Sequence, residues 1–132
     1  MEDPEELPKL ALKGIEEFNR GEFYECHEYL EEAWMQEPRR VRFLYQGILQ
    51  VGVGCYHLRS GNYRGGLRTL DRGLARLRTM PSECQGISVQ RLVADAEHLR
   101  VRVVALGETR LQELDESQLP RVHLAPGEPD PR

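Results

Sequence analysis

Apolar positions recur at helical spacing through most of the chain, and glycine and proline cut the pattern into about five segments. The first runs from Pro4 or Glu5 to Phe18 and carries Leu10, Leu12, Ile15 and Phe18 on one side. Asn19-Arg20-Gly21 ends it, with Gly21 suited to the left-handed residue that closes a helix. The second spans Glu22 to about Gln36 and is stopped by Pro38. The third, from about Arg40 to Arg59, is the most apolar. After the turn Ser60-Gly61-Asn62, the fourth extends from Tyr63 to about Thr79, short of Pro81. A loop over 82–86 follows, and Ser88 is a natural N-cap for a fifth helix to about Leu106. No strand pair is predicted. Residues 118–132, polar and holding four prolines, predict a disordered tail, which leaves 1–117 as a single helical domain.

A shift of 40 residues aligns two of these segments. Phe18 then meets Leu58, Gly21 meets Gly61, Phe23 meets Tyr63, Cys26 meets Gly66, Leu30 meets Leu70, Ala33 meets Gly73 and Trp34 meets Leu74. Each copy reads as a helix, a tight glycine turn and an antiparallel helix whose small residues permit close approach. The hairpins, about 5–37 and 40–79, resemble tetratricopeptide units, although the period exceeds the roughly 34 residues of that repeat. The predicted fold is all-α: a compact bundle of two such hairpins plus a helix at about 88–106.

Composition narrows the setting. An apolar fraction of 39% is that of a globular chain, and no apolar run approaches the roughly 20 residues of a membrane helix. The acidic start MEDPEELPKL lacks a basic, then apolar, leader, so a cytoplasmic location is expected. Cys26, Cys55 and Cys84 are odd in number and form no C-x-x-C, which reads as small buried thiols in a reducing compartment. Net charge is −4, but residues 1–37 hold 12 acids and 3 bases whereas 38–79 hold 1 acid and 9 bases. Opposite blocks of this kind either pack on each other or face an oppositely charged partner.

Polar residues interrupt two of the apolar stripes. On the second helix Phe23, His27, Leu30 and Trp34 follow one another at steps of four, three and four, so His27 is expected to point at the core, with Glu31 one turn on and Glu28 about 100° round. On the third, Gln46, Gln50, Val53 and His57 form a similar stripe, and Gly47 and Gly54 allow another backbone to come close. A short link joins the two helices, so His27, Glu31, Gln46, Gln50 and His57 should share an interface. The favoured reading is a satisfied hydrogen-bond network that fixes helix register, because an unpaired buried polar group costs about 1–3 kcal/mol. A pocket for a small ligand or peptide is the second reading. The third is zinc or iron held by His27, Glu31 and His57. His27-Glu28-x-x-Glu31 departs from H-E-x-x-H, with glutamate in place of the second histidine, and no pair of Glu-x-x-His motifs is present. No cofactor is therefore predicted.

Phe18, Asn19, Gly21, Phe23, His27, Glu28, Glu31 and Trp34, followed by Gln46, Gly47, Gln50 and then His57, Gly61 and Asn62, carry a specific signature: F-N-x-G-x-[FY]-x-x-x-H-E-x-x-E-x-x-W, Q-G-x-x-Q and H-x-x-x-G-N. It resembles a family of small helical prokaryotic and plastid proteins known only as a domain of unknown function, the three-hundred-and-ninth so catalogued. The resemblance covers about residues 12–106 and departs mildly at Gly66, where relatives favour alanine. It implies an all-helical fold and brings no established activity.

Arg64, Arg68, Arg72 and Arg76 make a row at four-residue spacing on the fourth helix, a candidate anion-binding strip or, more simply, a solvated face or a row paired with the acidic second helix. Without a recognised motif or a basic overall balance, nucleic acid is not the expected partner. No phosphate-binding loop is present, and a Cys26–His27 nucleophile pair is sterically poor, since adjacent helical residues diverge. The functional expectation is a binding module for a protein, peptide or small ligand, with a homodimer plausible from the apolar third helix. The alternative is a metal-dependent, hydrolase-like enzyme centred on His27, Glu28, Glu31 and His57.

Overall fold

The computed structural model describes residues 6–125. Helix α1 (Lys9–Asn19) is followed by α2 (Phe23–Gln36), α3 (Arg42–Arg59) and α4 (Tyr63–Leu77). A two-stranded ribbon, β1 (Glu83–Cys84) and β2 (Ile87–Ser88), precedes α5 (Val89–Leu106). Two 3₁₀ turns, Glu108–Glu113 and Glu116–Gln118, come after it. The fold is all-α, with only this small ribbon added.

Short links make successive helices antiparallel neighbours. Gly21 and Gly61 both take positive φ, 79° and 88°, and close the α1–α2 and α3–α4 turns at equivalent places in the internal repeat. Asn62 caps α4 by accepting from the Gly65 amide at 3.0 Å, and Ser88 caps α5 by accepting from the Arg91 amide at 3.2 Å. The repeat's small positions are the tight ones. A Cβ on Gly73 would lie 2.8 Å from the Val51 amide nitrogen, and one on Gly54 would lie 3.1 Å from that of Leu70. The α3–α4 seam is therefore a backbone-to-backbone contact. Phe18, Phe23, Leu30, Leu44, Ile48, Val51, Leu70 and Leu74 fill the core, and α5 closes it with Leu92, Ala96, Leu99 and Val103.

Three expectations need correction. Helix α1 begins at Lys9, with extended Pro8 as its N-cap; the expected start at Pro4 or Glu5 lies outside the described residues. The loop over 82–86 contains a strand: Gln85 and Gly86, with φ of 49° and 79°, turn the chain so that Glu83 pairs with Ser88 and Cys84 with Ile87. Residues 118–125, expected in a disordered tail, lie against the body, while 126–132 are outside the described residues. The Ser88 amide donates to the His123 carbonyl at 2.9 Å, the Ala125 amide donates to that of Gly86 at 2.9 Å, and Leu124 bridges to Ile87. Val122 is buried, so one apolar side chain and a few backbone bonds hold a segment whose composition alone would leave it free.

Candidate functional site

Helices α2 and α3 form an antiparallel pair whose far ends meet where Tyr24 and Tyr56 stand 6.4 Å apart, ring centre to ring centre. At the near end the link is held by Glu37, whose buried carboxylate accepts from the Arg39 amide at 3.0 Å, from its Nε at 2.7 Å and from its Nη2 at 2.9 Å. This guanidinium keeps the Glu37 carboxyl below its ordinary range.

The buried side of α2 is Phe23, Cys26, Leu30 and Ala33. His27 is therefore not in the core: it sits at the edge of the buried stripe, its side chain 35% exposed, with Nε2 3.9 Å from Glu31 Oε1. That separation is beyond a hydrogen bond. The smaller Cys26 and Ala33 take the inward places because the helix must approach its neighbours closely there. Glu28 and Glu31 are exposed, and Gln46, Gln50, Val53 and His57 are half-buried on the side of α3 that lies between α2 and α4. The satisfied network does not exist, because among the described residues no hydrogen bond joins His27 to Gln46, Gln50 or His57. The side-chain oxygens of Gln46 and Gln50 and the indole nitrogen of Trp34 are buried without a partner.

Rings that the sequence did not single out join this face. His27 lies 6.4 Å from Tyr24, and His57 lies 6.2 Å from Tyr56, so four rings run in line across the two helices. Tyr24 is 58% exposed and Met35, further along α2, is 73% exposed. At the other end of α3 the guanidinium carbons of Arg40, Arg42 and Arg76 lie 5.8, 5.2 and 4.8 Å from the centre of the Phe43 ring. The signal available in the sequence was the position of Tyr24 one turn before His27 and of Tyr56 beside His57.

The metal reading is not supported by the donor geometry. Among the described residues no group of three or more His, Cys, Asp or Glu side chains is arranged to hold an ion, so His27, Glu31 and His57 do not form a ligand set. Cys26 and Cys55 are sealed in the core, where burial pushes the Cys26 thiol up to about 12 and raises that of Cys55 as well. Three hollows border the Gly21 and Gly61 turns and α5. One of about 360 Å³ lies between Arg59–Gly61 and Glu108–Glu116, and one of about 620 Å³ between α5 and Ser117–Arg121. A third, of about 240 Å³, lies beside Phe18–Gly21. None of these three is lined by His27, Glu31, Gln46, Gln50 or His57.

The Arg64, Arg68, Arg72 and Arg76 row is exposed, and among the described residues none of the four makes an ion pair with an acid of α2. The pairs that α4 does make run to α5, with Asp71 accepting from Arg100 Nε at 2.7 Å and Arg78 bonded to Glu97. Acids and arginines in the two blocks are kept apart because α3 lies between α2 and α4.

Fold and face together define an uncharacterised helical domain with a polar, aromatic surface over α2 and α3. Residues 11–69 match the model of the family described as Domain of unknown function (DUF309), the family that the motif residues Phe18 to Trp34 and Gln46 to Asn62 within that stretch resemble. The chain is also 31% identical over 112 residues to the uncharacterized protein YpuF of Bacillus subtilis (strain 168), an alignment covering 83% of this chain and 55% of YpuF. An uncharacterized protein of Aquifex aeolicus (strain VF5) is 25% identical over 83 residues, which is 62% of this chain and 25% of that protein. The chain thus spans about half of the first relative and a quarter of the second.

Proposed function

We propose that the chain is an interaction module whose docking surface is the face of α2 and α3, edged by α4. The observation that carries this reading is the set of three buried polar atoms left unpaired, on Trp34, Gln46 and Gln50, on the same two helices that carry exposed Tyr24, Tyr56 and Met35. Each unpaired group costs about 1–3 kcal/mol, and a protein partner that supplies donors and acceptors recovers that cost. Exposed aromatics and methionine are the side chains that anchor protein interfaces. The hairpins α1–α2 and α3–α4 act in this reading as tetratricopeptide-like units, their equivalence supported by the matched glycine turns. Three unpaired cysteines fit a reducing, cytoplasmic setting, and no helix among the described residues is long and apolar enough to cross a membrane.

The reading is tested by placing a photo-crosslinking amino acid at Val53, in the middle of the face, and at exposed Ala94 on α5. A covalent protein adduct from position 53 in cells, with none from 94, is the expected result. No adduct from 53 overturns it.

A further inference from the structure

We propose that the occupant of this face is a second copy of the chain, docked about a two-fold axis parallel to α3; this rests on reading the face as a docking surface. The geometry comes from two registers. A Cβ on Gly73 would touch Val51, one on Gly54 would touch Leu70 and one on Gly47 would touch Leu77, so α4 runs down α3 residue for residue and Arg72 is level with Gly52. A Cβ on Gly52 would lie 3.5 Å from Cys26 Sγ and Tyr24 lies beside Tyr56, which sets Glu28 within about one helical turn of the height of Gly52. One turn further, Glu31 and Glu32 stand at the height of Leu49 and Ile48, and Arg76 stands at the height of Ile48.

Within one copy these charges cannot meet, because the α2 and α4 axes are about 18 Å apart, two helix spacings. A two-fold axis parallel to α3 preserves height and exchanges sides. It therefore lays the α2 of one copy over the α4 of the other, with Glu28 opposite Arg72 and with Glu31 and Glu32 opposite Arg76, twice in each dimer. The Arg72 and Arg76 guanidiniums, which lack an acid partner among the described residues, gain one, as do the carboxylates. An axis across the helices would instead set α2 on α2 and acid on acid.

The centre is also self-complementary. Gln50 faces Gln50 of the second copy across the axis, and a carboxamide carries both a donor and an acceptor, so a turn of each terminal amide gives each Gln50 oxygen an N–H. The 18-residue α3 is about 27 Å long, and three helices are roughly 25 Å across, which gives a footprint of roughly 700 Å² against the ~800 Å² per partner of a standard interface.

The experiment is light scattering on the wild type and two charge reversals, Glu28→Arg with Glu31→Arg and Arg72→Glu with Arg76→Glu. The wild type is expected at twice the monomer mass at micromolar concentration. Each reversal alone sets like charges together and weakens the dimer at least ~100-fold, to monomer mass. An equimolar mixture of the two restores the dimer mass, because both contacts are then opposite in sign, and a misfolded variant could not give that rescue. A monomeric wild type, a dimer indifferent to both reversals, or a mixture that stays monomeric overturns the proposal. The adduct at position 53 separates the failures. If it contains a different protein, self-association is wrong and the docking surface stands; if none forms, both fall.

Discussion

Asn19 clamps Val122 across 103 residues of sequence: its Nδ2 donates to the Val122 carbonyl at 3.0 Å, and its Oδ1 accepts from the Val122 amide at 2.8 Å. The carboxamide thus pairs with extended backbone as a neighbouring strand would. Arg121 adds a bond to the Asn19 carbonyl at 2.9 Å, so the α1–α2 turn and the last described segment are fastened at one point. Asn19→Ala removes both side-chain bonds. We expect a loss of about 1–3 kcal/mol and faster proteolysis within 119–125, with far-ultraviolet dichroism of the helices unchanged. Unaltered cleavage in that segment would show that Val122 burial alone holds it.

The helix glycines separate into two kinds. At Gly73 a methyl would meet the Val51 amide nitrogen at 2.8 Å and the Gly47 carbonyl at 3.0 Å, neither of which can move without parting α3 from α4. Gly73→Ala is therefore expected to cost about 1–3 kcal/mol. At Gly52 the nearest atoms, on Phe18 and Cys26, lie at 3.4–3.5 Å, an ordinary contact. Gly52→Ala is expected to be neutral or to stabilise by up to about 1 kcal/mol through helix propensity. Urea unfolding of the two variants beside the wild type checks the contrast, and the same sign for both would refute it.

Much of this fold is legible in the residues. Gly21 and Gly61, the caps at Asn62 and Ser88, and the paired positions Leu30 and Leu70 each state locally what the chain does, because a turn or a helix face depends on neighbours within about one helical turn. His27 misled because its spacing from Phe23 and Leu30 fits a stripe as well as that of Cys26 does. Periodicity locates an arc, and only the close approach of helices shows that small residues sit at its centre. The ribbon escaped because two-residue strands have no alternation to detect. The 118–125 segment escaped because its binding partner, Asn19, is a hundred residues away and reads locally as a turn residue. Among the described residues, His27, Gln46, Gln50 and His57 make none of the bonds expected between them.

His123 lies where the last described segment crosses β2, and its carbonyl accepts from Ser88. Burial first, then the nearby Arg91, lowers its pKa, while Asp95, with Oδ2 3.8 Å from Nε2, acts in the opposite direction. A base whose folded pKa lies below its unfolded value of about 6.5 takes up its proton more readily when unfolded. Stability from this residue is thus full above that pH and falls as pH drops through and below it. The melting temperature of the wild type should decline between about pH 7 and pH 5 more steeply than that of His123→Gln, the carboxylates contributing equally to both. Parallel curves would remove His123 from the pH response.

Tyr45 is the largest fully buried side chain, and its hydroxyl donates to Gln85 Oε1 at 2.8 Å, joining α3 to the ribbon turn. Burial pushes this phenol up to about 12, against the Gln85 hydrogen bond, which acts to lower it. The folded state therefore resists ionising Tyr45, and the unfolded chain, with a phenol near 10, does not. Stability is unaffected below that range and is lost as pH rises through it. Absorbance at 295 nm should report phenolate formation at Tyr45 only near pH 12 or on unfolding. Tyr45→Phe should abolish the late step and, by taking the donor from Gln85, cost about 1–2 kcal/mol at neutral pH. Ionisation of Tyr45 near pH 10, in a chain that stays folded, would mean that Tyr45 is not sealed beneath the Gln85–Gly86 turn.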